Sequence, residues 1–203
     1  LAVTNSPEYR TENEGGLRHS WPRVPLPTKA DALARSAALG RLVADLLLPD
    51  KPVSGVTSGK LRAELKTLAI PAKITGKPID PDKDLEVTAG WGHHGVENAV
   101  MSGKGKALPN EADPDAALDI YINGAVCWRN VPRDVWEMTI GGYPVVKKWL
   151  SYREKRVLGR ALKMEEMTYI TEVVRRLKAL LLLGPELDAN YRACAKETFP
   201  LAK

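Results

Sequence analysis

The chain has 203 residues, 44% of them hydrophobic and 27% charged, enough for one domain, or two small ones, with a real core. Its 30 Lys or Arg against 25 Asp or Glu leave a net charge of +5, a moderate basic bias that permits a nucleic-acid partner without requiring one. Two cysteines, Cys127 and Cys194, without a Cys-x-x-Cys pair, exclude a disulfide framework and a cysteine zinc site and fit a reducing, cytoplasmic setting, and the longest apolar run, Ala179 to Leu183, is too short to span a bilayer.

The chain starts at Leu1 without a methionine, and Ala-Val-Thr-Asn-Ser-Pro follows; it reads as a piece of a longer protein. Residues 1–28 are polar and rich in proline (Pro22, Pro25, Pro27), which predicts an extended arm pinned by Trp21, Val24 and Leu26. Thr28 is placed to N-cap a helix running to about Leu48, with Asp31 favourable in its first turn. Leu33, Ala37, Gly40, Ala44 and Leu47 make its stripe, broadened by Leu39, Val43 and Leu46, and Pro49 and Pro52 stop it. Ser54-Gly55-Val56-Thr57-Ser58-Gly59-Lys60 resembles a phosphate-binding loop but fails its spacing, and Leu61 stands where Ser or Thr is needed. Ser58 is read instead as the cap of a helix over 59–69, and Pro71 and Pro78 bracket a loop.

Leu85 to Ala89 alternates like a strand. Gly90-Trp91-Gly92-His93-His94-Gly95 follows. Adjacent histidines point apart on a strand, so a metal pair is not expected. The segment is read as a glycine-flexed loop presenting an exposed Trp91 and two polar rings to base edges or sugar–phosphate; the plainer alternative is a hairpin with Trp91 buried. Val96 to Met101 reads as the return strand. In Ser102-Gly103-Lys104-Gly105-Lys106 the glycines let backbone N–H and ammonium groups approach a phosphate together, although solvated loops share this composition. Residues 107–117 are acidic and loop-like. Leu118 to Ile122 alternates, Asn123-Gly124 is a strong hairpin signal, and Ala125 to Arg129 is the partner strand. Val131-Pro132 should break it. A turn at Asp134-Val135-Trp136 then leads to a strand over 137–140.

The chain is organised around Gly141-Gly142-Tyr143-Pro144-Val145-Val146-Lys147-Lys148-Trp149-Leu150-Ser151-Tyr152-Arg153-Glu154. The glycines permit a reversal, and Pro144 suits the first turn of a helix. Val145, Val146, Trp149, Leu150 and Arg153 share one side, and Lys147, Lys148, Ser151 and Glu154 lie mainly on the other. Trp149 as core anchor over a solvated lysine face is one reading; a basic face for phosphate is the other. Leu158-Gly159-Arg160 then punctuates. The longest helix is expected over 164–183, on an apolar face of Met167, Ile170, Val173, Val174, Leu177, Leu180 and Leu181, with Arg175, Arg176 and Lys178 off it. Gly184 and Pro185 separate it from a last helix over 186–196. Residues 147–178 hold ten Lys or Arg against four Glu, a concentration that favours a polyanion partner.

Several of these landmarks resemble the C-terminal specificity region of type ISP restriction–modification enzymes and related adenine-specific DNA methyltransferases. They are His19 to Pro27, Val87 to Gly92, Asn130-Val131-Pro132, Gly141 to Glu154, Leu158-Gly159-Arg160 and Leu187 to Tyr191. They run in order over nearly the whole chain. In that family the region reads an asymmetric DNA site, while an upstream domain moves a methyl group from S-adenosylmethionine to adenine N6. The Asn/Asp-Pro-Pro-Tyr/Phe tetrapeptide of such methyltransferases is absent, and Asn130-Val131-Pro132-Arg133 is no version of it. The resemblance therefore implies a target-recognition domain, without catalytic, metal or cofactor site, in a parent that uses S-adenosylmethionine for restriction–modification and phage defence. Its partners would be duplex DNA and the methyltransferase domain of the same polypeptide, with no membrane.

The expected fold is α+β, a strand-rich middle (about 85–140) packed with N-terminal helices and a helical C-terminal part. Residues 1–203 divide into an extended arm (1–28), a mixed α/β part (29–140) and a helical part (141–203). DNA contacts are expected at Trp91, His93, His94, Lys104, Lys106, Arg129, Lys147, Lys148 and Arg153, with a structural role the alternative for Arg153. The rival to DNA reading is a docking module whose basic face meets an acidic partner. A self-contained enzyme has no paired carboxylates or nucleophile–base spacing behind it.

Overall fold

The computed structural model describes residues 1–200. In chain order they form a 3₁₀ turn (Val3–Asn5), α1 (Pro7–Glu12), α2 (Glu14–His19), α3 (Ala30–Leu47), α4 (Ala63–Lys66), β1 (Ile70–Lys73), β2 (Gly92–His94) and a second 3₁₀ turn (Val96–Asn98). Then come β3 (Val100–Ser102), β4 (Lys106–Pro109), β5 (Ala117–Tyr121), β6 (Val126–Pro132), α5 (Arg133–Glu137), β7 (Thr139–Ile140), β8 (Tyr143–Pro144), α6 (Val145–Ser151), α7 (Lys155–Leu158), α8 (Met164–Leu182) and α9 (Gly184–Ala195). The fold is mixed α+β. Two compact units emerge: Leu1–Val53 with the chain from Ala179 onward, and Ser54–Lys178.

The first unit is helical. Ser6 caps α1 by accepting the Tyr9 N–H at 3.1 Å, and its hydroxyl donates to Asp188 Oδ1 at 2.6 Å. Tyr9 is buried with Val3 and Cys194, and its ring meets Tyr191 edge-on at 5.3 Å. In α3, Ala32, Leu39, Val43 and Leu46 are buried at helical spacing, and α3 packs on α9. The expected extended arm is thus helical from Val3 to His19, and only the stretch from Ser20 to Thr28 runs without a helix. The overlooked signal was Ser6-Pro7, a capping hydroxyl followed by proline at the first helical position. Trp21 pins nothing, being 89% exposed. Thr28 is not the cap of α3: its N–H and hydroxyl both go to Glu197 O, and Lys29 takes the N-cap position.

The second unit is built on an antiparallel sheet of order β1-β6-β5-β4. Asn123 organises its central turn. The Asn123 Oδ1 accepts from the N–H groups of Ala125 and Val126, and Nδ2 donates to the carbonyls of Asp84 and Glu86. Residues 85–89 are therefore held extended beside the turn but form no strand, because their N–H groups at 88 and 89 both go to Ile122 O. Leu85 and Val87 are completely buried all the same. Trp128 and Ile120, paired across β6 and β5, are also completely buried, and the Trp128 indole donates to Met167 O at 3.0 Å. Val131 and Pro132 do not break β6; Pro132 ends it, at a position where a missing N–H is tolerated.

Two further stretches depart from what their sequence predicts. The helix over 59–69 shrinks to α4, because Gly55 and Gly59 are both left-handed and close a tight loop in which Gly55 N–H donates to Ser58 O. The return strand starts only at Val100, since Glu97 and Asn98 adopt positive φ in the turn that closes the β2–β3 hairpin.

Candidate functional site

The site is assembled around α6. Gly141 (φ 59°) and Gly142 (φ 81°) are both left-handed, the conformation of a two-residue hairpin turn matched to strand twist, and they join β7 to β8. Tyr143 follows directly and is 61% exposed. Pro144 is the N-cap of α6, one position earlier than its sequence position implied. The helix buries Val146, Leu150 and Ser151. Lys147 and Lys148 stay partly exposed. The Lys148 ammonium lies 5.2 Å from the Tyr143 ring and 5.0 Å from the Tyr152 ring, a cation held between two aromatic faces.

The β2–β3 hairpin packs against this helix. Gly92 makes that approach possible: a Cβ there would stand 1.9 Å from Ser151 O. The chain end of the helix clamps the same strand. The buried Glu154 carboxylate accepts the N–H of Trp91 at 2.8 Å and of Gly90 at 3.3 Å, and Arg156 Nε donates to Gly92 O at 2.9 Å. His93 and His94 are thereby carried, exposed, on an element that touches α6. Val96 at the hairpin turn is 86% exposed and Met101 is 50% exposed.

Trp91 requires correction. It is completely buried rather than exposed, its indole donates to Tyr121 O at 2.7 Å, and it meets Trp136 edge-on at 5.4 Å. No face remains for a base. The glycines around it serve close packing, not flexibility: a Cβ on Gly105 would stand 2.0 Å from Trp91 Cε3, and one on Gly103 2.1 Å from Gly90 O. The N–H groups of Gly103 and Gly105 donate to Trp91 O and Gly90 O. They are not available to a phosphate, whereas Lys104 between them is exposed.

The charge concentration at 147–178 is largely consumed by the fold. Lys155 pairs with Glu86, Arg160 with Glu166, and Lys178 with Asp134. Arg175 donates to the carbonyls of Leu65 and Lys66 at 3.1 Å each. Arg176, read as lying off the apolar stripe, is buried at 4% exposure. Arg153 lies 4.7 Å over the Trp149 ring with Nε 3.5 Å from Glu166, the structural alternative foreseen for it. Trp149 in turn stacks on Tyr169. Lys147 and Lys148 differ. Among the described residues neither has a carboxylate partner, so both retain an unneutralised charge.

The remaining expected contacts lie on the sheet. Lys106 in β4 is 4.3 Å over the ring of its cross-strand partner Tyr121. Arg129 in β6 is exposed and lines a cleft of about 490 Å³ with Lys73 and Lys77. The nine expected residues are thus spread over several elements: His93 and His94 lie on the hairpin packed against α6, Lys147 and Lys148 on α6 itself, Lys106 and Arg129 on the sheet, Lys104 in the loop between β3 and β4, Trp91 in the buried core, and Arg153, partly exposed, over Trp149. Tyr143 and Tyr152 were missed, although the Lys148–Tyr152 spacing of four residues on a helix carried the signal. Among the described residues no group of acidic, histidine or cysteine side chains forms a metal site, and no helix is long and apolar enough to cross a membrane. The surface offers cations, aromatic faces and polar rings, the chemistry of groove and phosphate contact.

A family model described as the type ISP C-terminal specificity domain matches residues 1–178 of the chain. No curated protein and no solved structure matches it.

Proposed function

Since this chain belongs to the type ISP C-terminal specificity domain family, we propose that it selects the duplex sequence at which an adenine-N6 DNA methyltransferase, carried on the same polypeptide, acts. Membership makes it a DNA target-recognition domain of a restriction–modification enzyme. The observation that supports the finer reading is α6: among the described residues Lys147 and Lys148 have no carboxylate partner, and the hairpin that carries the exposed His93 and His94 packs against the same helix. Unneutralised cations supply salt-dependent affinity by releasing counterions, and the polar and aromatic side chains beside them meet base edges.

S-adenosylmethionine would be held elsewhere in the polypeptide. Its binding in a doubly wound domain needs parallel strands with a glycine loop at their carboxyl ends, whereas the strand pairs described here are antiparallel. Asn130, the one asparagine in a context near the methyltransferase tetrapeptide, is committed to the carbonyl of Thr67 and to Asp119.

The test is selection from random duplexes by the full-length polypeptide at two salt concentrations, followed by methyl transfer from S-adenosylmethionine to the enriched duplex. The expected result is a motif of several base pairs, affinity that falls steeply with salt, and methylation lost when one adenine of the motif is replaced. Salt-sensitive binding without a motif would return the chain to the docking-module reading. A motif without adenine methylation would keep target recognition and remove the proposed chemistry.

A further inference from the structure

The Tyr143–Lys148–Tyr152 cluster has a feature that a merely solvated face lacks. A surface lysine that is positioned by a carboxylate loses its net charge to that partner. Lys148 is positioned by two π faces, at 5.2 and 5.0 Å, which attract the ammonium without neutralising it. Tyr143 is equally distinctive. It stands immediately after two left-handed glycines that fix the turn, and it remains 61% exposed while Pro144 and α6 root its backbone. Its hydroxyl has no hydrogen-bond partner among the described residues.

Resting on the DNA-recognition reading above, we infer that Lys148 grips a backbone phosphate, that Tyr152 is its positioning residue, and that Tyr143 enters the adjacent groove as a specificity-determining contact to bases. The two roles separate physically. A phosphate contact carries no sequence information. An aromatic side chain with a free hydroxyl, held beside that phosphate, contacts base edges or a thymine methyl and so discriminates. The pairing of Tyr143 with Ile140 across the turn limits the ordering that its backbone must undergo on binding.

The experiment compares the full-length wild-type polypeptide with Tyr143→Ala, Tyr143→Phe, Tyr152→Ala and Lys148→Ala, on the selected duplex and on duplexes with single base-pair changes, over a salt series. Tyr143 is exposed, so its variants retain the fold, which circular dichroism checks. Tyr143→Ala also removes one of the two π faces beside Lys148, so it is expected to weaken binding to unrelated duplex about as much as Tyr152→Ala does and, unlike Tyr152→Ala, to lower discrimination at one or two base pairs by roughly tenfold or more. Tyr143→Phe separates hydroxyl from ring: discrimination retained places the contact on the ring, discrimination lost places it on the hydroxyl, and both are support. Lys148→Ala is expected to weaken all duplexes alike and reduce the log–log salt slope by about one. Tyr152→Ala is expected to weaken all duplexes to a smaller extent without relaxing base preference. A wild type that selects a motif and a Tyr143→Ala variant that selects it equally well would overturn the inference and leave target recognition standing. A wild type that selects no motif would overturn both.

Discussion

At the scale of single residues, partner identity decides what a charge does. Arg175 and Lys147 look alike in sequence, both basic and both beside apolar helix positions. Arg175 satisfies two backbone carbonyls, and burial lowers the pKa of its guanidinium from the ordinary value. Lys147 meets no carboxylate among the described residues. Arg175→Ala should therefore cost about 1–3 kcal/mol of stability, the penalty for orphaned partly buried carbonyls, and leave the salt slope of DNA binding unchanged. Lys147→Ala should do the reverse: little change in the urea midpoint, and a slope reduced by about one if the lysine meets a phosphate. Equal slopes in both variants would remove Lys147 from the interface. The sequence could not separate the two residues, because a run of basic residues shows the charge and not the carbonyl or carboxylate that the fold brings to it.

At the scale of elements, local patterns were legible and long-range docking was not. Asn123-Gly124 announced its hairpin, the Gly141-Gly142 turn formed as read, and the apolar period of α8 located a helix at Met164–Leu182. For Gly-Trp-Gly at 90–92 the plainer alternative holds, with Trp91 buried rather than presented on a glycine-flexed loop, and the sequence could not decide between the two because the partner that explains Gly92, Ser151, lies far along the chain. Gly92→Ala tests that explanation. Its Cβ would overlap Ser151 O, a backbone atom that cannot swing aside, so β2–β3 must move off α6. The expected outcome is destabilisation of about 1–3 kcal/mol or more, with weaker motif selection because His93 and His94 move with the hairpin. Unchanged stability would show that the hairpin does not need this seat. A second element-scale prediction concerns acid. The Lys73 ammonium, hydrogen-bonded to Asp84 at 2.7 and 2.8 Å, together with the Asp80 N–H, holds the Asp84 carboxyl below its usual range. For Glu166, burial works upward but is outweighed by Arg160 and the Lys163 N–H, and the net shift is also downward. A carboxyl with a lowered folded pKa stabilises fully above the unfolded value and loses that contribution as pH falls through the folded value. The urea midpoint should therefore hold steady from about pH 7 to 5 and decline below about 4. Asp84→Asn should lower the midpoint at neutral pH and converge on wild type in acid; parallel curves would show that the pair contributes nothing.

At the scale of the whole molecule, the chain length admits one domain or two small ones, and the contacts resolve into two units. The first crossing between them, at Val53–Ser54, follows the prolines that stop α3, whereas no local signal marks the second, which falls inside the continuous helix α8. Nature has placed a reporter in each unit. Cys194 is buried in the first with Val3 and Tyr9, and Cys127 is completely buried in the second, on β6. Burial also pushes the Cys127 thiol above its ordinary pKa, so alkylation there requires opening rather than mere access at the surface. Pulsed alkylation in graded urea, read by mass at each cysteine, measures the two opening free energies separately. Tyr9→Ala removes a buried ring and its contact with Tyr191, a loss of about 3–5 kcal/mol by analogy with other buried aromatic truncations. If the units open independently, this variant should speed labelling of Cys194 by a hundredfold or more, on the order of that energy, and leave Cys127 near its wild-type rate. If instead both cysteines accelerate together, the chain unfolds as one cooperative body. The α6 surface would then depend for its integrity on residues that lie outside the second unit, and a destabilising change in α1 would weaken DNA selection without touching the interface.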